Sequence, residues 1–86
     1  MLTPMTKDEI RRTISELLAD FLEEDKIELA DDMVADDVDG WDSIVHMKLV
    51  LAIEEVYGIR FESEEINAPE NVGALLDLLV YKCAEK

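Results

Sequence analysis

Early in the chain apolar residues recur at i, i+4, i+7, i+8 and i+11 as Ile10, Ile14, Leu17, Leu18 and Phe21. That spacing lays them along one face of a 3.6-residue period and predicts an amphipathic helix. Thr6 stands just before the run and Glu9 three residues after it, the reciprocal pair that satisfies free amides at a helix start, so the helix is placed at Lys7 to Leu22. From Glu23 to Trp41 the chain is acidic, and its apolar residues, Ile27, Leu29, Met33, Val34 and Val38, keep no sustained period. A stretch this long in so short a chain reads as an ordered functional loop pinned by those side chains.

Periodicity returns at Ser43 and runs to Tyr57, where Gly58 offers the usual left-handed stop. Ile59 to Phe61 is a short extended connection. Ser63 is placed as the cap of one helical turn over Glu64 to Asn67, and Pro69 interrupts. Asn71 caps a last helix in which Val72, Leu75, Leu76, Leu78, Leu79 and Tyr81 supply the apolar contacts. The expected fold is all-α: a small bundle of three main helices plus one short helix, with a long loop between the first two. One domain spanning residues 1–86 is expected from the length.

The second helix carries more apolar surface than a small bundle can bury from one side. At about 100° per residue, Val45, Leu49, Ala52, Ile53, Val56 and Tyr57 share a broad core face. Ile44, Met47 and Leu51 lie on roughly the opposite side, flanked by Lys48, Glu54 and Glu55. This second stripe is either covered by loop residues such as Val38 and Trp41 or exposed to a partner. Its position beside a serine at the helix start favours the partner surface.

Charge narrows the functions. Twenty-two acidic against eight basic residues give a formal charge of -14, which repels nucleic acid phosphates and anionic lipid and favours proteins with basic docking patches. Cys83 is the single cysteine, and no His/Cys cluster for structural zinc is present. With no signal-peptide pattern and no apolar run of membrane-spanning length, a soluble cytoplasmic monomer is expected, binding neither nucleic acid nor membrane.

Candidate chemistry is sparse. Ser43 and His46 resemble a nucleophile and base three residues apart, but no oxyanion loop accompanies them and so short a chain offers little concave surface, so no catalytic residue is assigned and the chain is not expected to be an enzyme. "ADDVDG" approximates a calcium loop at Asp37, Asp39 and Gly40, but Ala35 holds the first ligand position and His46 the last. No specific metal site is expected, only loose cation association with Asp31, Asp32, Asp36, Asp37 and Asp39. Either Asp42 or Ser43 suits the cap of the second helix. The free amides and positive dipole end there also suit a phosphate carried on the Ser43 hydroxyl.

The stretch "DGWDSIVHMKLVLAIEEVYGIRF", Asp39 to Phe61, resembles the central segment of the acyl carrier protein family. The family's D-S-L motif stands here as Asp42, Ser43 and Ile44, and the likeness extends over nearly the whole chain, through the long loop, "AIEE" and the closing helix. The resemblance implies that Ser43 receives covalent phosphopantetheine from coenzyme A through a phosphopantetheinyl transferase, with Asp42 as its motif neighbour. The arm then holds acyl groups as thioesters and delivers them from acyl-loading to acyl-accepting enzymes, with Ile44, Met47, Leu51, Lys48, Glu54 and Glu55 as the partner-binding surface. Two features depart from the family pattern. Ile44 replaces leucine at similar volume. Val45, His46 and Lys48 dilute the acidic recognition face common in fatty-acid carriers, which points to a stand-alone carrier in specialised biosynthesis of fatty-acid or polyketide type. An aminoacyl or peptidyl carrier, and an unmodified acidic helical interaction domain, remain as alternatives.

Overall fold

The computed structural model describes residues 6–85, and among them every regular element is helical: α1 (Lys7–Leu22), a single 3-10 turn (Ala35–Asp37), α2 (Ser43–Tyr57), α3 (Ser63–Asn67) and α4 (Val72–Glu85). The expected all-α bundle of three main helices, one short helix and a long first loop is therefore the fold. Local chemistry sets most boundaries. At the start of α1, Glu9 N donates to Thr6 Oγ1 at 3.1 Å and Thr6 N donates to Glu9 Oε1 at 2.9 Å. Gly58 closes α2 at φ 65°, a left-handed conformation that costs glycine little. Asn71 Oδ1 accepts from Ala74 N at 2.8 Å and opens α4.

α1 packs against both α2 and α4, and the core lies between them. Ile10, Ile14 and Leu18 meet Leu49 and Ile53 from α2 and Leu76 and Leu79 from α4, all fully buried. The long loop is sewn to this frame by polar ties as well as apolar pins. Arg11 Nη1 donates to Leu29 O at 3.2 Å and Ser15 Oγ to Ile27 O at 2.8 Å. Asp31 accepts from Lys7 at 2.9 Å and pairs with Arg11 at 2.6 Å. Those two cations hold the Asp31 carboxyl below its ordinary range.

The loop's far end is anchored by the first amides of α4: Val72 N donates to Met33 O and Gly73 N to Asp31 O, both at 2.8 Å. The approach is so close that a Cβ on Gly73 would lie 2.9 Å from Asp31 Cβ and 3.1 Å from its carbonyl oxygen. Gly73→Ala is therefore expected to push loop from helix and cost about 1–3 kcal/mol, as overpacking does. A urea titration of the two proteins reads this directly. An unchanged midpoint would mean that the loop moves away freely.

Several local expectations are corrected. Val56, placed in the core, is 55% exposed, whereas Val50, assigned to neither face, is 3% exposed. The buried arc of α2 is thus turned by about 60° from the one read on the wheel, at 100° per residue. Leu49, Ile53 and Tyr57, expected on the core face, are buried there; the arc extends to Val50 and leaves Val56 outside. Ser63 is the first helical residue of α3 and not its cap; Glu62 precedes the helix, with its amide on Glu65 Oε1 at 2.8 Å. Val34 and Tyr81 face solvent instead of pinning loop and bundle. The 3-10 turn was not expected.

Candidate functional site at the head of the second helix

The site begins with a helix start. Asp42, in extended backbone, accepts from Val45 N through Oδ1 at 2.9 Å, so Asp42 is the cap and Ser43 the first helical residue. The Asp42 carbonyl takes His46 N at 2.8 Å, while the amides of Ser43 and Ile44 have no protein acceptor among the described residues. Ser43 is exposed. Its hydroxyl therefore stands in solvent at the positive end of a four-turn helix, beside two amides with donors to spare.

Next to Ser43 lies a cleft of about 470 Å³. Asp36, Trp41 and Asp42 line it from the loop side, His46 and Met47 from α2, and Ile66 from α3. Across it runs a hydrogen-bonded chain that the sequence did not suggest. Trp41 Nε1 donates to His46 Nδ1 at 3.2 Å, and His46 Nε2 meets Ile66 O at 3.0 Å. The indole and imidazole rings also stack, 6.0 Å between centroids and 28° between planes. The pair holds the only tryptophan and the only histidine of the chain, and their spacing of five positions was the available signal.

Ile44, Met47 and Leu51 are 67%, 44% and 60% exposed. Val38 and Trp41 are buried, yet they pack beneath the helix and leave this stripe uncovered. Lys48 and Glu55 are exposed beside it. Glu54 is half-buried, and its Oε2 accepts from Phe61 N at 2.8 Å, so this carboxylate also fixes the connection after α2. Among the described residues no His/Cys/Asp/Glu group is arranged to hold a metal ion. Asp31, one of the five aspartates expected to attract cations loosely, is already committed to Lys7 and Arg11.

Fold and site define a small helical carrier: an exposed serine at a helix start, unpaired amides beside it, and a cleft to one side. Residues 12–79 match the model of the family described as "Phosphopantetheine attachment site". An acyl carrier protein of Petrotoga mobilis is 34% identical over 79 residues, covering 91% of this chain and 92% of that protein. The solution NMR structure of a holo acyl carrier protein from Geobacter metallireducens superposes with a TM-score of 0.77 at 34% identity, covering 86% of this chain and 85% of that one. The chain belongs to the acyl carrier protein family, whose prosthetic group is covalently attached phosphopantetheine.

The residues present suit that group. A phosphodiester on an exposed hydroxyl at this position would be met by the Ser43 and Ile44 amides and the helix dipole. Among the described residues no helix is long and apolar enough to cross a membrane.

Proposed function

We propose that Ser43 is the attachment residue and that the whole chain is one carrier domain without catalytic turnover of its own. The observation that carries this reading is the exposure of Ser43 as the first residue of α2, with Asp42 relieving it of the capping task. When bound, the arm supplies a terminal thiol that carries acyl groups as thioesters. The protein's own contribution is placement. α2 presents the hydroxyl to a phosphopantetheinyl transferase, the two free amides hold the phosphodiester, and the acidic surface keeps chains apart as monomers in the cytoplasm. Intact-mass measurement after incubation with coenzyme A, magnesium and a broad-specificity transferase tests it; a gain of one phosphopantetheine per chain is expected, and no gain refutes it.

Ile44, Met47 and Leu51 form the docking face, with Lys48 and Glu55 at its margin, and the transferase and the acyl-loading and acyl-accepting enzymes meet it there. Basic patches on those enzymes complement the net charge. Ile44→Glu and Met47→Glu are expected to leave thermal melting cooperative, with stability changed by about 0.5 kcal/mol, since both positions are exposed. Both should slow transfer of phosphopantetheine about tenfold or more, the effect of an unpaired charge at an apolar contact. Unaltered transfer rates in both variants would move the docking face elsewhere.

A further inference from the structure

On this acidic chain Lys7, Arg11, Lys26 and Lys82 each rest on a carboxylate. Lys48 is exposed on α2, and among the described residues no carboxylate pairs with it. The helix offers it none. Residues three and four positions away share a helix face, and for Lys48 these are Ile44, Val45, Leu51 and Ala52, all apolar. Exposed Arg12 shows the contrast, since the same positions around it hold Asp8, Glu9 and Glu16.

Glu55 repeats the pattern with the opposite sign. Leu51 and Ala52 stand behind it, Gly58 ends the helix ahead of it, and no described cation pairs with it. Lys48 and Glu55 are seven positions apart, which sets them about 10 Å apart along the axis and within about 20° of each other around it. They edge the exposed stripe of Ile44, Met47 and Leu51. Beyond them the apolar surface resumes, with Val45 and Ala52 half-buried and Val56 exposed. The two charges therefore lie inside a wider apolar arc. A partner that covers this arc takes water from both of them, and a lysine stem that bends aside meets apolar surface on either hand. A charge desolvated without a counterion costs much of the affinity that the apolar contact brings.

We infer that α2 is built for an enzyme surface that sets a carboxylate against Lys48 and, about 10 Å further from Ser43, a cation against Glu55, both within an apolar contact. The order of the two charges fixes the direction in which the partner lies along α2, and so which part of it meets Ser43. The inference rests on the reading of Ile44, Met47 and Leu51 as the docking face. It adds a requirement that net charge does not make: a formal charge of -14 favours basic surfaces everywhere, whereas Lys48 requires an acid at one point. A second copy of the chain in antiparallel register would also set Lys48 against Glu55, but it carries the same large negative charge, so the occupant is an enzyme.

Transfer kinetics on the unmodified chain test this, with the phosphopantetheinyl transferase of the carrier's own cell as the probe. Every variant used changes an exposed residue, and a cooperative thermal melt checks that each is folded. Lys48→Glu should lower kcat/KM about tenfold or more, because two carboxylates then face each other. Steering by net charge alone gives the opposite result, a faster reaction whose gain fades with salt. Arg12→Glu adds the same charge outside the docking face and should leave the rate within about twofold. Lys48→Glu combined with Glu55→Lys keeps the net charge but reverses the order, and should remain about tenfold slow. Ile44→Glu separates the two ways of failing: slow transfer there beside undiminished transfer in Lys48→Glu keeps the face and refutes the carboxylate, while undiminished transfer in both refutes the face as well. Full recovery in the double variant would also overturn the inference. So would sedimentation as dimers that are lost in Lys48→Glu and regained in the double variant, which would give the face to a second copy.

Discussion

Replacing Ile53 by glutamate is expected to unfold the domain. Ile53 has no exposed surface and lies where α2 meets α1, in the cluster with Ile10, Ile14, Leu18, Leu49, Leu76 and Leu79. The change removes about 1.5–3 kcal/mol of apolar burial. It also places a carboxyl where no described charged side chain is buried to pair with it, at a further cost of several kcal/mol. A domain of this size has about 5–15 kcal/mol in total, with small domains at the low end. Far-UV circular dichroism should show loss of helix and of a cooperative melt. Ile53→Val, which removes one methylene, should stay folded and lose about 0.5–1.5 kcal/mol. A glutamate variant that melts as sharply as the parent would place Ile53 outside the core and misplace the bundle axis.

Ser43→Ala should have the opposite profile, with structure kept and modification lost entirely. The helix keeps its cap, because Asp42 Oδ1 and not the Ser43 hydroxyl receives the Val45 amide. Alanine is a good first-turn residue, and the side chain is exposed, so the stability change should stay within about 0.5 kcal/mol. Yet the hydroxyl proposed to carry the phosphodiester is gone. Intact mass should therefore show one added phosphopantetheine on the parent and none on the variant under identical transferase conditions. A variant that is still modified would assign the arm to another hydroxyl, and one that collapses would make Ser43 a structural residue.

The two substitutions probe one helix, and they show how unevenly it could be read. Helix limits were legible because the signals are local: Thr6 with Glu9, Gly58 and Asn71 act within four residues of themselves, and the structure uses all three as caps. Membership of the carrier family was legible too, since the D-S-I triplet, the length and the helix spacing all lie in the linear order. The exposed stripe Ile44, Met47 and Leu51 could be drawn on a wheel. Whether the loop covered it could not.

Orientation was decided in three dimensions. A wheel ranks faces by apolar content, and Val45, Ala52 and Val56 pulled the expected core toward themselves. The helix keeps the expected Leu49, Ile53 and Tyr57 inward but turns far enough to bury Val50 and expose Val56, because α1 and α4 present their buried residues on that side. That rotation swings His46 toward the cleft, where the loop supplies Trp41 and α3 supplies a carbonyl, three partners separated by up to twenty-five positions in the chain. The amino-acid sequence by itself determined the elements, the charge and the serine at the head of α2, all consequences of spacing and of nearest neighbours. The tertiary structure alone decided which way α2 faces, how the acidic loop is tied to α1 and α4, and that a tryptophan, a histidine and a short helix line the cleft beside that serine, because those depend on packing between segments that no local pattern brings together.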